Sequence, residues 1–541
     1  MLRTSSVLVP LAALAALASA VPSAAQSGAA PGLRLYGDLR GFDTYLVDVQ
    51  GNIVHTWTNT QLVGTAAHLD RDGTLIRTYR SATLNIPGAG GGFQRIGFDG
   101  RVLWDWTYDT PGGFAHHDFC IKPNGNILFI AWEDITPQQA IANGRDPALI
   151  RQPVVRPDKI VEIEPVGTNG ANIVWEWRVW DHLVQDFDPS QANFGVVSQN
   201  PGKIDINYPP DPFEINDWNH CNGIDYDPIH DWIVISSNHQ SEIWIIDGST
   251  STAEAASDTG GRWGKGGQIL WRWGNPECYD AGGPADRVFD GNHDPRFIPA
   301  GRPGAGNLTV YHNGNQNQRS DVFELTLPTD AYGNFVIGLS GRFGPALPTW
   351  SFTAPNLFSG FISGCERLPN GNTLICSGNQ GLLLEVTPSG RTVWQHQRQG
   401  MLIFQCDYVE RTLWSEFETV SAGQGSFVGL NMVAGGEQAG RDYVVLGTAS
   451  GSRPGFAIDG HVMPINIDAF TQLTLTQANF QPFFANTLGS LDASGAASAM
   501  LGIPAGALPP GLTLEFAFAA IDPVTGLVTA TSNAVPIRLV Q

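Results

Sequence analysis

The sequence predicts an all-β protein: a six-bladed β-propeller followed by a small C-terminal β-sandwich. Three observations predict it. The 541 residues hold 63 Gly, 36 Pro and 16 Trp, a composition that favours many short strands joined by turns over long helices. A strand-forming element recurs along the first three quarters of the chain. After it the composition changes: all 16 Trp stand at or before Trp414, and all 6 Cys at or before Cys406.

The repeat is Gly or Ala, a spacer, two apolar residues, two further residues and an aromatic. Copies begin at Gly51 (GNIVHTW), Gly100 (GRVLWDW), Ala171 (ANIVWEW), Gly267 (GQILWRW), Gly333 (GNFVIGL) and Gly390 (GRTVWQH). Each is a turn feeding a strand of period two. Between copies lies a second hairpin, from His68, His117, His220, His293 and Cys365, with FQCDYVERTLW near 404–414 as a sixth. Six hairpin pairs without helical periodicity give six blades over residues 30–415. The stretch 425–541 follows the Gly/Ser-rich segment SAGQGSF. Its alternating runs, YVVLGTA, LTLEFAFAA and AVPIRLV, give the β-sandwich. The insertion Gly248–Gly267 carries a capping box, Ser251 to Glu254, which starts one short helix.

Arg3, the apolar run Val7–Ala20 and the small-residue site Ala18-Ser19-Ala20 form an export signal over residues 1–25. The expected location is therefore periplasmic, cell-surface or extracellular, and no later run is apolar enough to span the membrane. In that setting the six cysteines, an even number, permit disulfides, with Cys365 and Cys376 on neighbouring strands. A net charge of −21, with 30 basic against 51 acidic residues, excludes a nucleic-acid partner. An anionic substrate would need a locally positive pocket. Nothing in the sequence addresses the oligomeric state.

The hairpin alignment sorts the histidines. His55 and His396 occupy positions that hold Trp in other copies and belong to structural aromatic sites. His230 falls in a turn, and His68 sits about three residues out of register. His117-Asp118 and His293-Asp294 share the spacing His-Asp-x-x-x-x-Pro, and His220 precedes its turn by a similar length. Equivalent inner-strand positions of a propeller meet at its axis, so His117, His220 and His293 are expected at one mouth. Adjacent strand residues point to opposite faces, which turns Asp118 and Asp294 away. No HExxH or CxxC arrangement is present, and no metal or cofactor is expected.

Several long segments, HHDFCIKPNGNIL, DWNHCNGIDYDPIHDWIVISSNHQSEIWIID, LWRWGNPECYD and GNHDPRFIP with GNLTVYHNGN, resemble the bacterial arylsulfate sulfotransferase family from about His116 to Gln397. The resemblance implies a six-bladed propeller that moves a sulfuryl group from a phenolic sulfate ester to a phenol, without a nucleotide sulfate donor. It implies a histidine nucleophile at His293 and sulfuryl-binding histidines at His220 and at His117 or His116. The family's Arg, eighteen residues after His220, is Asn238 here. His239, His116 or Arg262 is then expected to supply the missing charge, with Asn222 and Asn313 as further polar contacts. An uncharged Asn cannot fork onto a sulfate oxyanion as Arg does. A non-catalytic propeller that binds a glycan, peptide or surface partner is the alternative reading, and a hydrolase using water as acceptor is a third.

Overall fold

The computed structural model describes residues 28–541, except 31, 71–72, 82–87, 99, 111, 210–215, 411, 416–418, 435–437 and 494. The expected export signal lies outside the described residues. Among them, no helix is long and apolar enough to cross a membrane. The short helix is present as Thr252–Ala255, capped by Ser251 and Glu254.

The chain is all-β and propeller-like. Among the described residues up to Val409, six antiparallel sheets of four or five strands follow one another. Their first strands are adjacent from sheet to sheet: Val63–Leu69, Gly113–Ile121, Cys221–Asp227, Asn292–Phe297 and Gly364–Arg367. The central strands are continuous apolar runs because both faces are covered; Trp232–Ser237 is buried throughout. Outer strands such as Val102–Thr107 mix exposed and buried positions.

The segment near 404–414 does not form a hairpin. Its first half, Asp407–Val409, pairs with Leu33–Gly37 and becomes the inner strand of the first sheet. This joins the end of the ring to its beginning. Its second half, Leu413–Ser415, pairs with Ser426–Val433 and already belongs to the tail. The Gly333 copy of the repeat also differs. It forms isolated bridges, Thr329 to Phe335 and Ile337 to Phe343, and the fifth sheet takes Trp350–Phe352 as its outer strand.

The repeated Trp has a specific task. Each sheet's outer strand sends at least one indole N–H to a carbonyl of the next sheet: Trp57 to Gly97, Trp104 to Gly170, Trp177 to Gly267, Trp271 to Gly344 and Trp273 to Pro345, Trp350 to Pro388, and Trp394 back to Val49, at 2.6–2.9 Å. Near the axis, carboxylates do the same work. Asp118 accepts the Ile224 N–H, Asp225 that of Phe297, Asp294 that of Cys365 and Glu366 that of Tyr408, at 2.8–3.0 Å. Gly364 makes room for one of these approaches, because a Cβ there would overlap the Asp294 carboxylate.

The tail holds two further sheets, one through Ser426–Val433 and Ala496–Ile503, the other through Thr513–Ile521, Asp442–Thr448 and Val535–Val540. Leu430, Met432, Val445, Phe516 and Ile537 share one core between them. Arg453 of the tail pairs with Asp70 and meets the carbonyls of Lys122 and Pro123. All six cysteines are free and buried. Cys376 faces Gly364, one residue out of step with Cys365, so the two thiols enter different cores.

Trp394→Phe keeps the packed ring and removes the bond that ties the sixth sheet to the first. A loss of about 1–3 kcal/mol is expected, since the Val49 carbonyl is left without its donor. Urea unfolding should show a lower midpoint with an unchanged slope.

Candidate functional site

The inner strands are bulged at one end. Ile130 faces three residues, His116, His117 and Asp118, where one would be regular. Gly64, Thr65 and Ala66 similarly face Thr78, Asn222 is an extra residue opposite Ser236–Ser237, and a shift follows His293. Bulges re-aim side chains. Here His117 and His220 take left-handed backbone, φ 52° and 51°. Such φ values are uncommon for non-glycine residues and collect at functional sites. Gly88 makes room, since a Cβ there would overlap the His117 ring.

His117, His220, Asn238 and His293 line one cavity of about 800 Å³. The His117 and His220 rings meet edge to face at 4.6 Å. Phe404 lies 6.1 Å from His117 and 6.5 Å from His293. Leu39, Leu62, Phe361, Ile362 and Leu402 supply apolar wall. Arg40 and Arg80 complete the lining, and no carboxylate lines the cavity among the described residues.

The three imidazoles have different partners. His293 Nδ1 lies 2.7 Å from the Asn313 amide oxygen. The amide orientation is fixed, because Asn313 Nδ2 donates to the carbonyls of Ser359 and Ile362. His293 therefore carries its proton on Nδ1, and Nε2 is a lone pair that accepts the Ile362 N–H at 3.2 Å. Burial pushes its pKa down to about 3, so the ring is neutral. Ile362 and Ser363, at φ 56° and 94°, hold that N–H in place.

His220 Nδ1 lies 2.6 Å from the Asp217 carboxylate. Burial opposes its charge, yet Asp217 outweighs burial and raises its pKa above 6.5. His117 is neutral: burial first, then the neighbouring His220, His116 and His293, hold it well below the ordinary range.

The remaining expected residues stand behind or beside the cavity. His116 lies between Asp158, at 2.7 Å, and His117 Nδ1, at 2.8 Å, stacked on Trp132. His239 stacks on His220, bonds the Asp217 carbonyl, and is lowered to about 4 by burial and by His220. It therefore brings no positive charge. Asn238 donates to the Asn292 carbonyl at 3.2 Å. Asn222 is buried and accepts the Ser236 hydroxyl, away from the cavity lining. Asn313 orients His293. Arg262 donates to the Ile229 carbonyl and lies near Asp231, so it is not the missing cation. His68, out of register by sequence, sits on the axis between Asp407 and Gln405. Burial opposes its charge, but Asp407 raises its pKa to about 10. Sequence reasoning missed Arg40, Arg80 and Phe404, which lie outside the aligned histidine hairpins and carry no local signal. Among the described residues, no cluster suited to a metal ion occurs.

The profile of the family described as Arylsulfotransferase (ASST) matches residues 40–411. The chain belongs to the arylsulfotransferase family. The match spans the six sheets apart from Leu33–Gly37 and ends before the tail sheets, and arylsulfotransferase-type function, with small aryl substrates, follows from it. No curated protein matches the chain. Similar solved structures include a protein of unknown function from Bacteroides caccae, at 14% identity and TM-score 0.39, covering 70% of this chain and 99% of that one. Virginiamycin B lyase from Staphylococcus aureus gives 10% and 0.32, covering 70% and 88%. A periplasmic gluconolactonase from Pseudomonas aeruginosa gives 11% and 0.31, covering 70% and 99%.

Replacing the orienting amide tests the tautomer assignment. Asn313→Asp places a carboxylate on His293 Nδ1, favours the imidazolium, and should raise the His293 pKa by more than one unit from about 3. Imidazole nitrogen chemical shifts followed through a pH titration read this directly.

Proposed function

We propose that this arylsulfotransferase-family chain is an exported enzyme that carries a sulfuryl group on His293 between two phenols, without a nucleotide sulfate donor. We further propose that the six sheets are the blades of a six-bladed propeller and the two tail sheets a β-sandwich. The closed ring of Trp–carbonyl bonds and the shared tail core support the fold reading. The enzymatic reading is carried by one observation. A neutral imidazole with its Nε2 lone pair sits in a cavity free of described carboxylates, beside an imidazole shifted toward its charged form by Asp217.

In the first half-reaction, His293 Nε2 attacks sulfur and the S–O(aryl) bond breaks. The electron pair leaves on the phenolate oxygen, which takes the Nε2 proton of His220. The Ile362 N–H, displaced from the nitrogen lone pair, becomes a donor for a non-bridging sulfuryl oxygen. In the second half-reaction, the acceptor phenol gives its proton to neutral His220 and its oxygen attacks sulfur. The N–S bond breaks and both histidines return to their first state. Positioning and charge stabilisation supply most of the rate, as in phosphoryl transfer. Asn238, where the family has Arg, favours the second reading, a non-catalytic propeller that binds a glycan, peptide or surface partner.

Incubation with 4-nitrophenyl sulfate and phenol separates the two. Phenol-dependent nitrophenol release, a sulfuryl-enzyme adduct by intact mass, and a loss of at least about a thousandfold in His293→Ala are expected. Binding without release would leave the second reading. Release that is unchanged without phenol would indicate water as acceptor.

The pH profile follows from the two shifts. His293 is neutral above about pH 3, so the acid limb lies low. His220 is protonated below its raised pKa, so the first half-reaction, read as kcat/KM for the aryl sulfate, is full there and falls as pH rises through a value above 6.5. Asp217→Asn removes the main cause that opposes burial and moves this alkaline limb to lower pH. At pH 7.5 it should cost about 10²–10³ in the rate of the first half-reaction, and kcat/KM for the aryl sulfate against pH on both proteins checks the shift.

A further inference from the structure

We infer that Arg40 and Arg80 form an anion clamp at the mouth of the histidine cavity, and that the preferred substrate is a phenol or phenyl sulfate bearing a second anionic group. This rests on the proposed sulfuryl transfer for the reaction and on separate geometry for the clamp.

Both arginines line the cavity and are exposed. They are neighbours: Arg80 Nη2 donates to the Leu39 carbonyl at 3.2 Å, one residue before Arg40. Arg40 Nη1 donates to the Gly400 carbonyl at 2.9 Å. Neither guanidinium meets a carboxylate among the described residues. Asp38 accepts the backbone N–H of Arg40, not its side chain. In a chain with 51 acidic and 30 basic residues, two guanidinium groups on one cavity lining, neither meeting a described carboxylate, are an uncompensated positive site. A bound anion compensates both charges while accepting planar, forked hydrogen bonds.

The placement separates this clamp from the sulfuryl site. The arginines come from the first and second sheets and their connections, whereas His117, His220 and His293 come from the third, fourth and fifth. Phe361, Phe404 and Leu402 line the same cavity and offer apolar surface to an aromatic ring. A ring lying there has one end for the reacting oxygen at the histidines and the other for a carboxylate, sulfonate or second sulfate at the arginines.

The test uses the full chain and the variants Arg40→Gln, Arg80→Gln and the double variant. Calorimetric titration with 4-hydroxybenzoate and with phenol measures binding without any chemistry. The wild type should bind 4-hydroxybenzoate at least about tenfold more tightly than phenol. The double variant should remove most of that ratio, and raised salt should lower it. In parallel, kcat/KM for 4-carboxyphenyl sulfate relative to 4-nitrophenyl sulfate should fall about ten- to a hundredfold in the double variant, with a circular dichroism spectrum like the wild type's. Equal binding of the two phenols, or a preference that survives in the double variant, overturns the clamp whether or not turnover is seen. Loss of turnover with the binding preference intact overturns the transfer reading and leaves the clamp standing.

Discussion

The arrangement depends on a closed ring of donors that each sheet lends to the next. A single four-stranded sheet cannot bury both of its apolar faces alone, and its stability comes from the faces it shares with its neighbours. Indole N–H groups fix that sharing at the periphery, and the last of them, from Trp394 to Val49, joins the end of the ring to its beginning. Asp118, Asp225, Asp294 and Glu366 fix it near the axis. Because carboxylates occupy the backbone amides of the next inner strand, the inner strands can bulge without losing their neighbours. The bulges in turn aim the histidines into the cavity.

Within that frame, one residue type is given three chemistries by what stands behind it. An amide oxygen behind His293 fixes the tautomer and leaves the ring neutral. A carboxylate behind His220 overcomes burial and shifts the ring toward its charged form. A second imidazole behind His117, itself held by Asp158, does neither and leaves His117 uncharged among its neighbours. Division of labour between a nucleophile and a proton donor needs such a split, since groups with equal pKa values would be protonated together.

Charge is partitioned as sharply as protonation. The chain is strongly acidic, yet the ionisable side chains of the described cavity lining are arginines and histidines, with no carboxylate among them. The carboxylates lie deeper on the axis, where Asp407 is flanked by His68 and Arg296 and held well below its ordinary pKa despite burial. The acidic groups that order the axis are thereby neutralised before they reach the anion-binding end.

The all-β class, the strand repeat, the short capped helix and the three cavity histidines were legible in the sequence. Period-two patterning, turn residues and repeated polar positions are local signals. The pairing of Asp407–Val409 with Leu33–Gly37 was not legible, because register across more than 370 residues leaves no local trace. Nor was the replacement of the Gly333 copy by Trp350–Phe352, since a strand pattern fixes propensity and not the partner. The sequence by itself determined which residue types could do acid, base and nucleophilic work. Tertiary structure alone decided their protonation states and brought Arg40 and Arg80 to the cavity. Those depend on burial and on neighbours such as Asn313 and Asp217, set by contacts between elements.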